Sequence, residues 1–95
     1  MSKIIESAVT SLNEKISDGF DGLAKFVMGD EGSIMIDGDG ARAGDGDADV
    51  TLIADTDVFE GILDGSTNPT TAFMTGKLKI EGDMGLAMKL ASFLS

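Results

Sequence analysis

The stretch Asn68-Pro69-Thr70-Thr71-Ala72-Phe73-Met74-Thr75-Gly76-Lys77-Leu78-Lys79-Ile80-Glu81-Gly82-Asp83-Met84-Gly85-Leu86-Ala87-Met88-Lys89-Leu90 decides the fold, because its hydrophobic period changes twice. Asn68 as a cap and Pro69 at the first helical position open a short helix, which Gly76 closes. From Lys77 to Glu81 charge and apolar residues alternate with period two, the pattern of a strand with one wet and one buried face. Asp83 then caps a final helix from Met84 to about Leu94. In that helix Met84, Leu86, Ala87, Met88, Leu90, Ala91, Phe93 and Leu94 leave only Gly85, Lys89 and Ser92 non-apolar. A plain account is a helix buried on most sides. The sharper one is that one side packs on a sheet and the rest lines a lipid cavity. Met74, Met84 and Met88 suit a cavity, since unbranched thioethers repack around ligands of variable shape.

Upstream, Ile4, Ile5, Ala8, Val9, Leu12 and Ile16 recur at helical spacing, which predicts an amphipathic helix from about Ser2 to Ile16, ended by Gly19 and Gly22. Two short β-rich runs follow, Lys25 to Met28 and Ser33 to Asp37, with Gly29-Asp30-Glu31-Gly32 as a hairpin turn. A short polar strand is expected around Ala41 to Ala43 and another strand from Val50 to Ala54. Asp55-Thr56-Asp57 opens a helix to about Leu63, with Thr56 as its cap and Gly65 at its end. The order helix, several strands, two helices, strand, helix predicts an α+β fold in one domain, residues 1–95, with a mostly antiparallel sheet.

The chain has 95 residues and a formal net charge of −10. Such a field repels phosphate backbones, which argues against nucleic acid as a partner, and it disfavours electrostatic docking on anionic membranes. No apolar run approaches a membrane span, so stable membrane insertion is not expected. Glu6 comes too soon for a signal-peptide apolar region, and Phe93-Leu94-Ser95 is not a peroxisomal address; the expected location is cytoplasmic. The absence of cysteine excludes disulfides and thiol chemistry.

The acidic segment Asp37 to Asp49 invites a calcium reading and fails it. Counting from Asp37, Ala41 fills the fifth position and Arg42 the place of the required glycine. Counting from Asp45, Val50 replaces that glycine and Thr56 the bidentate glutamate. No metal and no cofactor are assigned. With no His, Cys or Tyr, and no carboxylate singled out by spacing, the chain is expected not to be an enzyme. Lys77, Lys79, Lys89 and Arg42 read as solvated side chains, with a lipid head group as the alternative partner.

The segment also resembles the sterol carrier protein type-2 family. The resemblance runs from about Ala48 to Leu90 and more weakly from Phe26 to Asp37. Its specific elements are Ala48-Asp49-Val50-Thr51, Asn68-Pro69, Ala72-Phe73, Gly76-Lys77-Leu78-Lys79-Ile80, Gly82-Asp83 and Leu86-Ala87-Met88-Lys89-Leu90. It implies a five-stranded, mainly antiparallel sheet covered on one face by helices, with an apolar tunnel. It also implies ligands such as fatty acids, fatty acyl-CoA, sterols or phospholipids, moved between membranes or presented to a lipid-metabolising enzyme. By the same resemblance Phe73, Leu78, Ile80, Met84, Leu86, Met88 and Leu90 lie in or beside the tunnel. Such a site needs little polar recognition. At roughly 0.8 kcal/mol per methylene, ten methylenes supply roughly 8 kcal/mol, about the free energy of a micromolar Kd before the costs of association. A flexible acyl chain is therefore the expected ligand. The alternative function is an accessory module that docks on a protein through its apolar final helix.

Overall fold

Two runs that bury every other side chain set the middle of the sheet. In a computed structural model that describes residues 3–94, Ala24–Met28 (β1) and Val50–Ala54 (β4) lie side by side in parallel, Ala24 opposite Val50 and Met28 opposite Ala54. β1 turns through Gly29-Asp30-Glu31 into Gly32–Asp37 (β2), and β2 turns again into Gly40–Ala43 (β3); both pairings are antiparallel. Leu78–Gly82 (β5) runs antiparallel to β4 on its other side, which gives the order β3-β2-β1-β4-β5. The one parallel pair among the described residues is possible because the β2–β3 hairpin and the acidic loop intervene between β1 and β4, long enough for a crossover.

The register puts Ala24, Phe26, Met28, Ile34, Ile36, Val50, Leu52, Ala54 and Leu78 on one face, and all are buried. Helices Lys3–Lys15 (α1), Thr56–Asp64 (α2), Pro69–Met74 (α3) and Met84–Leu94 (α4) supply the other half of the core. α1 lies over β3 and β2, α3 against β5, and α4 over β4 and β5. Leu12, Phe59, Ile62 and Leu90 fill the layer between, and Phe59 stacks on Phe26 with ring centroids 4.8 Å apart. The opposite sheet face carries Lys25, Val27, Thr51, Ile53, Lys79 and Glu81 and stays partly wet, apart from a buried Met35.

Most predicted elements appear within a residue or two of their expected bounds; the reading at Ser2 lies outside the described residues. Thr56 is a correction. The cap position of α2 belongs to Asp55, in extended conformation and without a side-chain cap bond, while Thr56 is already helical. The Thr56 hydroxyl is used elsewhere: its Oγ1 donates to the Met28 carbonyl at 3.4 Å. β3 exists for a reason that periodicity does not reveal. Asn13 on α1 clamps Ala41 from both sides, donating from Nδ2 to its carbonyl (3.0 Å) and accepting its N–H at Oδ1 (2.8 Å). Gly40, at φ 109°, leaves the room that this side chain occupies.

Candidate apolar binding site

α3 is held by its ends. The Asn68 carboxamide oxygen accepts from the N–H groups of Thr70 (2.9 Å) and Thr71 (3.1 Å), satisfying two of the donors that a helix start leaves free. Pro69 and Ala72 face inward and are buried. The chain leaves α3 through Gly76, whose N–H bonds the Phe73 carbonyl, and Lys77, whose N–H bonds that of Ala72. Lys77 is therefore fastened beside Phe73 and Met74.

The turn between β5 and α4 is equally determined. Gly82 has φ 99° and passes so close to the Asp49 backbone that a Cβ there would run into the Asp49 carbonyl. Asp83 donates its N–H to that carbonyl (2.9 Å), and its Oδ1 accepts the Leu86 N–H (3.1 Å), capping α4. The helix then turns Ala87, Leu90 and Leu94 into the core. On one flank Leu86 reaches over Gly22, and Phe93 meets the Phe20 ring edge-on with centroids 6.2 Å apart. Met84 and Met88, one turn apart, form the opposite flank.

The seven expected lining residues thus divide. Leu78 and Leu90 are core residues, and Ile80 and Leu86 are partly buried against the core. Phe73, Met84 and Met88 are 38%, 43% and 52% exposed. Two further apolar side chains are exposed: Met74 at 79%, which the sequence already marked as suited to a cavity, and Phe93 at 39%, which stands on the Leu86 flank and was not singled out. Phe93 was signalled by its place seven residues after Leu86, on the same helix flank. Met74 stands in solvent beyond the helix packing. Every exposed large hydrophobic side chain among the described residues lies on α3 or α4.

Three clefts of about 320, 400 and 340 Å³ open elsewhere: between α1 and α2 at Ile4, Ala8 and Leu63; beside β5 at Ile53, Val58, Lys77 and Lys79; and between α1 and β3 at Val9 and Ala43. None of these three is lined by the seven expected residues. Under α3 and α4 the side chains are closely packed, with Leu78, Ala87 and Leu90 each no more than 2% exposed.

The electrostatics of the site are those of a surface. Lys89 pairs with Asp21 (3.1 Å) and Arg42 with Asp37 (2.8 Å), while Lys77 and Lys79 have no carboxylate within ion-pair distance among the described residues. No polar or charged side chain is buried among those residues. The carboxylates whose pKa moves all move down. Asp37 is held low by the Asp39 backbone N–H and by Arg42, Asp45 by Lys25, and Asp64 by Ser66. These are stabilised anions in turns, unlike a proton donor raised by burial.

The fold has known counterparts. The profile of the SCP-2 sterol transfer family matches residues 6–95, and the chain belongs to that family. It is 40% identical over 100 residues to hydroxysteroid dehydrogenase-like protein 2 of Xenopus tropicalis, covering 97% of this chain and 23% of that protein. To sterol carrier protein 2 of Gallus gallus it is 47% identical over 65 residues, 67% of this chain and 11% of the relative. The chain spans less than a quarter of the length of either. The solution structure of sterol carrier protein-2 from Aedes aegypti in complex with the C16 fatty acid palmitate superposes with a TM-score of 0.79 at 18% identity, covering 100% and 97% of the two chains. That likeness establishes the five-stranded fold.

Proposed function

We propose that this chain is a non-enzymatic, cytoplasmic, single-domain binder of fatty acids or fatty acyl-CoA, and that it transfers them or presents them to a lipid-metabolising enzyme. The acyl chain sits between the inner sheet face and the α3–α4 pair. Phe73, Met84 and Met88 form its way in, Ile80 and Leu86 its walls, and Leu78 and Leu90 its floor. The observation that carries this reading is the gathering of exposed large hydrophobic side chains on two adjoining helices. In a small soluble fold such a patch marks a binding surface. Close packing beneath it means that a ligand must part α3 from α4. The short α3, six residues long, and the unbranched methionines make that the yielding seam. Palmitate bound to the mosquito relative supports an acyl ligand, and the lack of a buried ionisable group among the described residues supports a non-catalytic role.

The same exposed flank favours one other reading, a module that docks on a protein through α4. Native mass spectrometry after incubation with palmitate separates the two. Lipid binding predicts a one-ligand mass increment that disappears on denaturation and is lost in a folded Met88→Glu variant. No uptake by the unaltered protein, or equal uptake by the variant, rejects the proposed site.

A further inference from the structure

The outer backbone edge of β3 is half covered. Asn13 takes both outward-facing groups of Ala41: its Nδ2 donates to the carbonyl (3.0 Å) and its Oδ1 accepts the N–H (2.8 Å). A carboxamide that donates and accepts in this way fills the place of one peptide group of a sixth strand. In an antiparallel ladder the backbone groups of alternate residues point the same way, so the N–H and carbonyl of Ala43 face outward as well. Gly44, the next residue, turns its N–H inward to the Ser33 carbonyl (3.1 Å), which fixes that phase. The outward groups of Ala43 have no hydrogen-bond partner among the described residues.

Beside them lies the cleft of about 340 Å³ between α1 and β3. Asn13 meets Ala41, and the preceding turns of α1 follow the strand, so Val9, Thr10 and Glu6 line the cleft with Ala41, Arg42 and Ala43. Ala41 and Ala43 lie on the inner sheet face, and Val9 and Ala43 are only partly buried against the core. A residue paired with Ala43 from outside points its side chain to that same face, into the space that two alanines leave open. We infer that this edge and cleft are a docking groove for an extended, basic segment of a partner protein. The segment adds antiparallel to β3 at Ala43 and places one bulky apolar side chain in the cleft.

Charge selects the partner. Residues 37–49 hold five carboxylates against one cation. Arg42 is already paired with Asp37, and Lys25 with Asp45. Glu6 in the cleft, Asp39 before β3 and Asp47 after it have no ion pair among the described residues. Lysine or arginine beside the apolar anchor meets this surplus, whereas a second copy of the chain would set −10 against −10. Position is restricted too: because Asn13 holds Ala41, the added segment pairs at Ala43 and runs towards Asp45.

NMR titration of ¹⁵N-labelled protein with the peptide acetyl-Lys-Thr-Lys-Thr-Ile-Thr-amide tests the groove. Saturable shifts at the amides of Val9, Thr10, Ala43 and Gly44, with slower solvent exchange of the Ala43 N–H, are the expected result. Binding should weaken between about 0.01 and 0.15 M salt. Methylating the isoleucine nitrogen removes the donor to the Ala43 carbonyl and should weaken binding about tenfold. Aspartate in place of both lysines should abolish it. In the protein, Glu6→Lys should weaken binding with the fold unchanged. Ala43→Pro deletes an N–H that the sheet itself does not use and should abolish binding. The groove shares no residue with the proposed lipid site, and palmitate uptake by both variants should be unchanged. No saturable shift, shifts centred away from β3, equal affinity for the N-methyl or the aspartate peptide, or unaltered binding by Glu6→Lys overturns the groove. Self-association through β3 in place of peptide binding overturns the choice of partner.

Discussion

The core beneath the sheet and the outer surface of α3 and α4 are built from the same kinds of side chain and do opposite things with them. In the first, Phe26, Phe59, Leu52 and Ile62 are fully enclosed. In the second, Phe73, Met84, Met88 and Phe93 stay between 38% and 52% exposed on helices whose inner faces are as tightly packed as the rest. Apolar content alone therefore does not mark the binding surface. What marks it is apolar content left uncovered, in the part of the chain where carboxylates are sparse.

The largest expected effect comes from breaking the enclosed region. Phe59→Ala removes a ring stacked on Phe26 and should lower unfolding free energy by about 3–5 kcal/mol in urea. Gly82→Ala forces a side chain against the Asp49 backbone at positive φ and should cost about 1–3 kcal/mol. Next comes Asn68→Ala, which deprives α3 of its cap, at about 1 kcal/mol. Met88→Ser, at a half-exposed site, should change stability by about 0.5 kcal/mol or less while palmitate uptake falls. A Met88→Ser variant as unstable as Phe59→Ala would erase the distinction between the two regions.

The smallest effect is in acid. Asp37 has a folded pKa below its ordinary value of 3.8, held there by the Asp39 N–H and by Arg42. Its contribution is therefore present above 3.8 and is lost as pH falls through the lower folded value. Thermal unfolding of Asp37→Asn should show a slightly lower Tm than the unaltered chain at neutral pH, and the gap should close in acid. A gap that widens in acid would contradict the assigned hydrogen bonds.

Much of the architecture was legible because residues 68–94 change period at defined punctuation: Asn68-Pro69, Gly76 and Gly82-Asp83. The parallel pairing of β1 with β4 was not legible, because it joins strands separated by a whole hairpin, and periodicity is local. β3 was faint for a similar reason, since its anchor is Asn13, 28 residues away from Ala41. Within the site, Leu90 and Met88 look alike as sequence yet differ in exposure. The rotation of α4 decides between them, and the packing of Leu86 on Gly22 and Phe93 on Phe20 sets that rotation. Thr56 was misplaced as a cap because its hydroxyl has a tertiary partner, the Met28 carbonyl.

The methionines allow the central claim to be tested at single side chains. With methyl-¹³C methionine, NMR spectra recorded during a palmitate titration compare Met84 and Met88 on α4 with Met35, which lies on the opposite face of the sheet. Saturable shifts at Met84 and Met88, with Met35 unmoved, are the predicted result. Saturation that shifts Met35 and leaves Met84 and Met88 in place would put the ligand on the other face and contradict the account.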